Sequence, residues 1–314
     1  MAEGLKFGLD VGIYGRTATR DIILELTELA EASGFESVWL ADHVIFPAVF
    51  ESKYPYSATG AFPIDMTQEP LLEPIATMGV LIGATKRVKI GTAVLVMPYR
   101  NPVLLARMLV TLDVLSAGRT ILGAGVGWLA EEFAALDARP FEARGRVTDE
   151  CIDIVKRICQ GGEVSFTGEH YALDTLVSSP GSVQRPHPPI LIGGTSNAAL
   201  RRVARLGDGW LSTSVGPDNV GERLHVLRGV CEVQGRRFED LSLSHKFFIN
   251  IGEAEQRGDG SRVPGTGTPA DIRDDIRRFV DAGYDRFIVR YRGGDAETQR
   301  VQLKEFMAEI MDKV

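Results

Sequence analysis

Cysteine is scarce in this chain and is not spaced for chemistry. Only Cys151, Cys159 and Cys231 occur, all in segments that read as helices and none in C-x-x-C spacing. That excludes a disulfide framework and a cysteine zinc site, and it suggests reduced core thiols in a cytoplasmic protein. The five histidines are scattered and form no metal-ligand pattern, so no metal is expected. Positive charge is also short. The net charge is −7 and no basic stripe is interleaved with aromatics, which argues against a nucleic-acid partner. Arg201, Arg202 and Arg205 cluster on a helical stretch and read as a solvated face. No apolar run approaches a membrane span, and no apolar segment follows a basic start, so neither a membrane partner nor a leader is expected. Finally, Gly123-x-Gly125-x-Gly127 has the wrong spacing for a dinucleotide fingerprint, leaving an open nucleotide-binding sheet as the second choice of architecture.

What is present centres on residues 88–128. Val88 to Val96 is an apolar, β-branched run that reads as a strand buried on both faces. Asn101 then caps a helix with Pro102 at its first position, and Gly118 closes it. A second short strand follows from Thr120 to Gly123. Strand–helix–strand units of this kind build parallel sheets.

The same grammar runs through the rest of the chain. Strands read at Leu5–Val11, Glu36–Leu40, Ile190–Ile192, Gly209–Ser212, Leu241–Ile251 and Arg286–Tyr291, with helices between them. Three junctions (SGFESVWL, LGDGWLST, AGYDRFIVR) repeat helix, glycine, strand. Eight strands alternating with eight helical segments give an α/β fold: a single (β/α)8 TIM barrel with rim insertions, spanning residues 1–314 as one domain. The excursions are a Pro- and aromatic-rich insertion from Val44 to Pro74, a hairpin over Glu163–Leu173 and a Gly-rich loop over 252–267 that ends at a capping box, Thr268 to Asp271. Tyr54, Tyr56 and Phe62 mark the long insertion as a substrate lid.

Barrel chemistry sits at the C-terminal ends of strands. That rule nominates Gly12, Asp42 with His43, Ala93 to Tyr99, Gly125 to Trp128, Gly193 to Thr195, Thr213 and Arg290. Asp42-His43 reads as a proton-transfer pair or a capping turn; an unperturbed imidazole titrates near pH 6.5, so it exchanges protons near neutrality. Gly193-Gly194-Thr195 opens a helix and reads as an anion cradle or a tight turn. Glu131 and Glu132 read as helix-surface charges, and Trp128 as core.

Six ordered motifs resemble the luciferase-like flavin and deazaflavin oxidoreductases, in the branch that uses coenzyme F420. They are SVWLADH, IGTAVLVMPYRNPVLLARMLVTLDVLSAGR, LGAGVGWLAEEF, FEARGRVTDE, QRPHPPILIGGTS with ALRRVARLGDGW, and GTPADIRDDIRRFVDAGYD. The resemblance implies an F420-dependent oxidoreductase, usually a homodimer, that moves a hydride between F420 and a small organic substrate. FMN with a monooxygenase activity is the alternative, and a non-catalytic flavin-binding protein is the alternative from another class. It implies a ring at the barrel mouth against Asp42, Ala93, Val94, Gly125, Gly127 and Trp128, with a non-prolyl cis peptide at Ala93-Val94. Its phosphate end falls at Gly193, Gly194 and Thr195. His43, aided by Asp42, takes the acid–base role. Trp128 stands where sugar-phosphate dehydrogenases of the branch carry an acidic glutamate, leaving Glu131 as the nearest carboxylate.

Overall fold

In the computed structural model, which describes residues 4–57, 59–291, 293 and 295–314, each predicted strand lies beside the next. Strand β1 (Lys6–Asp10) pairs in parallel with β2 (Ser37–Leu40), and β2 with β3 (Lys89–Thr92). The series continues through β4 (Thr120–Gly125), β5 (Ile190–Gly193), β6 (Gly209–Ser212), β7 (Ser242–Ile251) and β8 (Arg286–Tyr291). Strand β8 returns to β1, with Leu9 opposite Val289, so the eight parallel strands close a TIM barrel. Closure leaves the eight barrel strands with neighbours on both sides and creates two environments, a narrow interior and an outer layer against the helices.

The interior is filled near its floor by Trp39, which is fully buried among Ile121, Leu191, Leu211 and Ile288. Its indole donates to Ser37 Oγ at 2.7 Å. Strands β1 and β3 carry glycine beside it, because a Cβ at Gly8 or Gly91 would collide with the indole. The outer layer follows the sequence periodicity. Helix α1 (Arg20–Ala32) buries Ile23, Leu26, Thr27 and Ala30, and α2 (Pro74–Ala84) ends the long insertion. Helix α3 (Pro102–Leu115) starts at Asn101, whose side chain accepts from the Val103 and Leu104 amides. Helices α4 (Ala130–Ala135), α5 (Arg144–Gln160), α6 (Asn197–Leu206) and α7 (Val220–Val233) follow. Helix α8 (Pro269–Asp281) carries the Thr268–Asp271 capping box in both directions, and α9 (Ala296–Phe306) closes the ring. Among the described residues no helix is long and apolar enough to cross a membrane.

Two local readings change. The run from Val88 to Val96 is not one strand: β3 stops at Thr92 and pairing resumes at Leu95–Val96, interrupted by a cis peptide at Ala93-Val94. Apolar periodicity cannot report such a break, since both pieces remain buried. Trp128, read from its neighbours as core, precedes α4 and lines the barrel-mouth cavity, the place the family resemblance implied.

Strand β7 also places His245 outward, between barrel and helices, where it is stacked on Phe279 with ring centroids 4.3 Å apart. Its Nδ1 lies 2.8 Å from Ser212 Oγ. Burial pushes this imidazole down from 6.5 to about 3. Because the folded value lies below the unfolded one, the unfolded chain takes up the proton first as the solution is acidified. The burial of neutral His245 therefore costs nothing extra above pH 6.5, and stability falls as pH drops from there toward 3. Urea denaturation at pH 7 and pH 4 is expected to show a smaller acid loss for His245→Phe, which keeps the ring packing, than for the wild type, by about 3 kcal/mol. Equal losses would mean that His245 is not a source of acid sensitivity.

Candidate functional site

The strand ends surround a cavity of about 990 Å³ at the C-terminal mouth of the barrel. Its wall is built by short sequence signals acting together. Strand β2 runs without a break into Ala41-Asp42-His43, so both polar side chains arrive at the rim on a rigid element. Strand β4 ends in glycines, and β5 ends at Gly193-Gly194 before Ser196 caps α6 by accepting from the Ala199 amide.

His43 is buried and lines the cavity. Its Nδ1 sits 2.6 Å from Oε2 of Glu132, a carboxylate with no solvent exposure. Tyr99 donates its hydroxyl to the same oxygen at 2.8 Å. The second oxygen, Oε1, accepts from the amides of Val44 at 2.7 Å and Ile45 at 3.2 Å. Four donors converge on one buried carboxylate, and that set assigns the proton of neutral His43 to Nδ1. Nε2 is then left for the cavity. Burial and the adjacent carboxylate push the Tyr99 phenol well above its ordinary range, so it remains a donor.

Glu131, the carboxylate singled out in the sequence, is placed elsewhere. It accepts from the amides of Glu51 at 2.6 Å and Ser52 at 3.1 Å and does not line the cavity. Glu132, read as a surface charge, is the inward one. The signal was available: adjacent helical residues point about 100° apart, and Glu132 shares its side with the apolar Leu129 and Leu136, three residues before and four after it.

Asp42 also departs from expectation. Its oxygens accept from Arg100 Nη1 and Nη2 at 2.8 and 2.9 Å, and from the Val96 amide at 2.8 Å. Arg100 extends to Glu73 at 2.7 Å, tying the β2 end to the start of α2. Burial pushes the Asp42 carboxyl up, while Arg100 and the amide pull against it. Its oxygens are taken up in holding the rim rather than in orienting His43, while the residue itself lines the cavity.

The cavity floor is Val94, which leans on β4 and β5. A Cβ on Gly193 would come 2.6 Å from its Cγ1, and one on Gly125 would collide with its Cγ2. Ala93 offers its carbonyl to Lys246 Nζ at 3.1 Å. Trp128 forms one side wall; Phe62 from the insertion stacks on it at 5.8 Å and 15°, and Tyr54 meets it edge-on at 5.1 Å. Tyr56 packs on Tyr54, and Phe46 stands 5.0 Å from the His43 ring. Gly127, Gly194 and Thr195 also line the cavity. The three sequence-nominated aromatics, Trp128, His43, Val94 and the glycine loop thus share one space.

Sequence reasoning missed a second polar group at the mouth. Asp10, at the end of β1, is fully buried between Arg290 Nη1 and Lys246 Nζ, each at 2.7 Å. Burial works to raise its carboxyl, and the two cations outweigh it and hold the group below its usual range. Lys246 was legible as an inward position, since Ser244, Lys246 and Phe248 alternate with the outward His245 and Phe247. Among the described residues no group of His, Cys, Asp and Glu is arranged to hold a metal ion.

Comparison with known proteins agrees with this architecture. An uncharacterized protein of Mycobacterium tuberculosis is 33% identical over 299 residues, covering 93% of this chain and 95% of its own. Another from the same organism, provisionally named a coenzyme F420-dependent oxidoreductase, is 31% identical over 241 residues, covering 70% of this chain and 59% of its own. A solved F420-dependent secondary alcohol dehydrogenase, bound to an F420–acetone adduct, is similar in fold with a TM-score of 0.79 over 98% of both chains, at 17% identity. Residues 6–259 match the luciferase-like monooxygenase family, and the chain belongs to it.

Proposed function

We propose that the chain is an oxidoreductase that binds coenzyme F420 in the barrel-mouth cavity and passes a hydride between it and a small organic substrate. The observation that carries this reading is the buried Tyr99–Glu132–His43 set, which presents one fixed imidazole nitrogen to a cavity of about 990 Å³. The residues suit such a group. Val94, set between Gly125 and Gly193, gives a convex apolar floor for one face of a tricyclic ring. Gly194, Thr195 and the free amides at the start of α6 suit a phosphate, since a helix N-terminus favours negative charge.

When bound, F420 supplies hydride transfer at a ring carbon. The protein's part is position, dryness and a proton. Glu132 holds the imidazole in one tautomer and stabilises its cation, so His43 Nε2 can take a proton from a substrate hydroxyl or return it. The 44–74 insertion, with Phe62 and Tyr54 on Trp128, acts as a lid that excludes water from the transfer. Asp42 and Arg100 serve position, and Glu131 serves the lid by holding residues 51 and 52. A flavin-binding protein without catalysis has no use for a buried carboxylate committed to orienting one histidine. FMN in the same cavity is the second reading, favoured by a relative from Pseudomonas putida named an FMNH2-dependent dimethylsulfone monooxygenase, 27% identical over 213 residues.

Quenching titrations of the purified protein test the cofactor: F420 is expected to bind at least about tenfold more tightly than FMN, a difference of roughly 1.4 kcal/mol. A preference for FMN reverses the assignment. For the histidine, His43→Ala is expected to lower turnover by about 10²–10⁴-fold with F420 affinity nearly unchanged. Glu132→Gln, which keeps an acceptor for the Val44 and Ile45 amides, should lower turnover in the same direction while the fold survives. Near wild-type turnover in both variants would remove His43 from the acid–base role.

A further inference from the structure

A second cavity of about 810 Å³ adjoins the first, and Tyr14, Tyr54, Tyr56, Ser214, Lys246 and Phe248 line both. Its character is cationic. Arg16, Lys246, Arg257 and Arg290 line it, against Glu255 at the rim, Asp10 beneath, and Glu69 paired with Arg16. Among these described residues one positive charge is left over.

The surplus is concentrated where the cavities meet. Asp10 is shared: Oδ1 accepts from Arg290 and from the Gly12 amide, and Oδ2 faces Lys246. One carboxylate thus serves two buried cations. A guanidinium has five N–H donors, and among the described residues Arg290 has one hydrogen bond, through Nη1 to Asp10. Burying a surplus cation is costly unless an anion completes it. A planar, forked donor matches a carboxylate. Tyr291, in the same cavity, has a buried hydroxyl with no partner among the described residues.

The path from this charge to His43 is short. The Tyr14 ring centroid lies 5.1 Å from the Arg290 guanidinium and 6.3 Å from the His43 ring. One side chain separates the surplus cation from the imidazole.

We infer that the substrate is an organic monoanion whose carboxylate binds Arg290 and Lys246 where the two cavities meet, with its reacting carbon across Tyr14 beside His43. Calling the anion a substrate rests on the proposed function; the anion site itself does not need a cofactor. Among the described residues the surplus is a single charge, which matches one negative charge on the ligand.

Calorimetric titration of the full chain with benzoate, its neutral isostere benzamide and the dianion terephthalate tests this. Benzoate should bind at least about tenfold more tightly than benzamide, and terephthalate no more tightly than benzoate. Arg290→Gln and, separately, Lys246→Met should each weaken benzoate by about 10–100-fold, the scale of a lost charge-assisted hydrogen bond. Benzamide should be unaffected, and Arg290→Lys should recover part of the loss. If Arg290→Gln does not fold by thermal melting, Lys246→Met and the wild-type comparison still decide. Equal wild-type affinity for benzoate and benzamide overturns the inference, as does benzoate binding that neither variant changes. If the variants weaken F420 and leave benzoate unchanged, the cations serve the cofactor and the inference also fails. A wild type that binds neither F420 nor FMN but keeps the benzoate pattern would overturn the proposed function and leave the anion site standing.

Discussion

The mouth of this barrel depends on one buried carboxylate. Glu132 has no contact with solvent, and four donors from two separate segments reach it. His43, Val44 and Ile45 come from the end of β2, Tyr99 from the segment after Leu95–Val96, and Glu132 itself from α4. Removing such a partner exposes the full desolvation penalty of the groups left behind. The same interaction therefore fixes the entry of the long insertion, the orientation of the imidazole and the tilt of α4.

Around it, charge is distributed by pairing. Asp42 with Arg100 and Glu73 braces the β2 end against α2, and Asp10 with Arg290 and Lys246 braces β1 against β7 and β8. The first group has two carboxylates for one guanidinium, and the second has two cations for one carboxylate. The two imbalances are opposite in sign and lie at the ends of neighbouring strands, since β1 pairs with β2. Below, the Trp39 plug is neutral and tightly packed, so the rim gains its precision from a rigid floor.

The aromatic insertion belongs to the same logic. Phe46, Tyr54 and Phe62 contact His43 or Trp128, so the insertion packs on residues that line the cavity. Its backbone is held by consecutive glutamates, Glu132 at residues 44 and 45 and Glu131 at 51 and 52. Adjacent residues of one short helix thus serve two points of one loop, one from the buried side and one from the exposed side.

The sequence by itself determined the barrel. Helix caps, terminating glycines and short β-branched runs are local signals, and Asn101, Thr268 and Gly118 act where their spacing indicated. It also determined that the ends of β2, β4 and β5 meet, because parallel strands deliver their C-termini to one face. The family motifs indicated the Ala93-Val94 cis peptide that periodicity could not. Tertiary structure decided which charges face inward. Glu131 and Glu132 are chemically alike and adjacent, and Asp42 looked like a partner of His43 until Arg100 claimed both its oxygens. Local patterns rank a carboxylate by its own neighbours in the chain, whereas its role is set by donors 33 to 89 residues away, brought together only when the barrel closes.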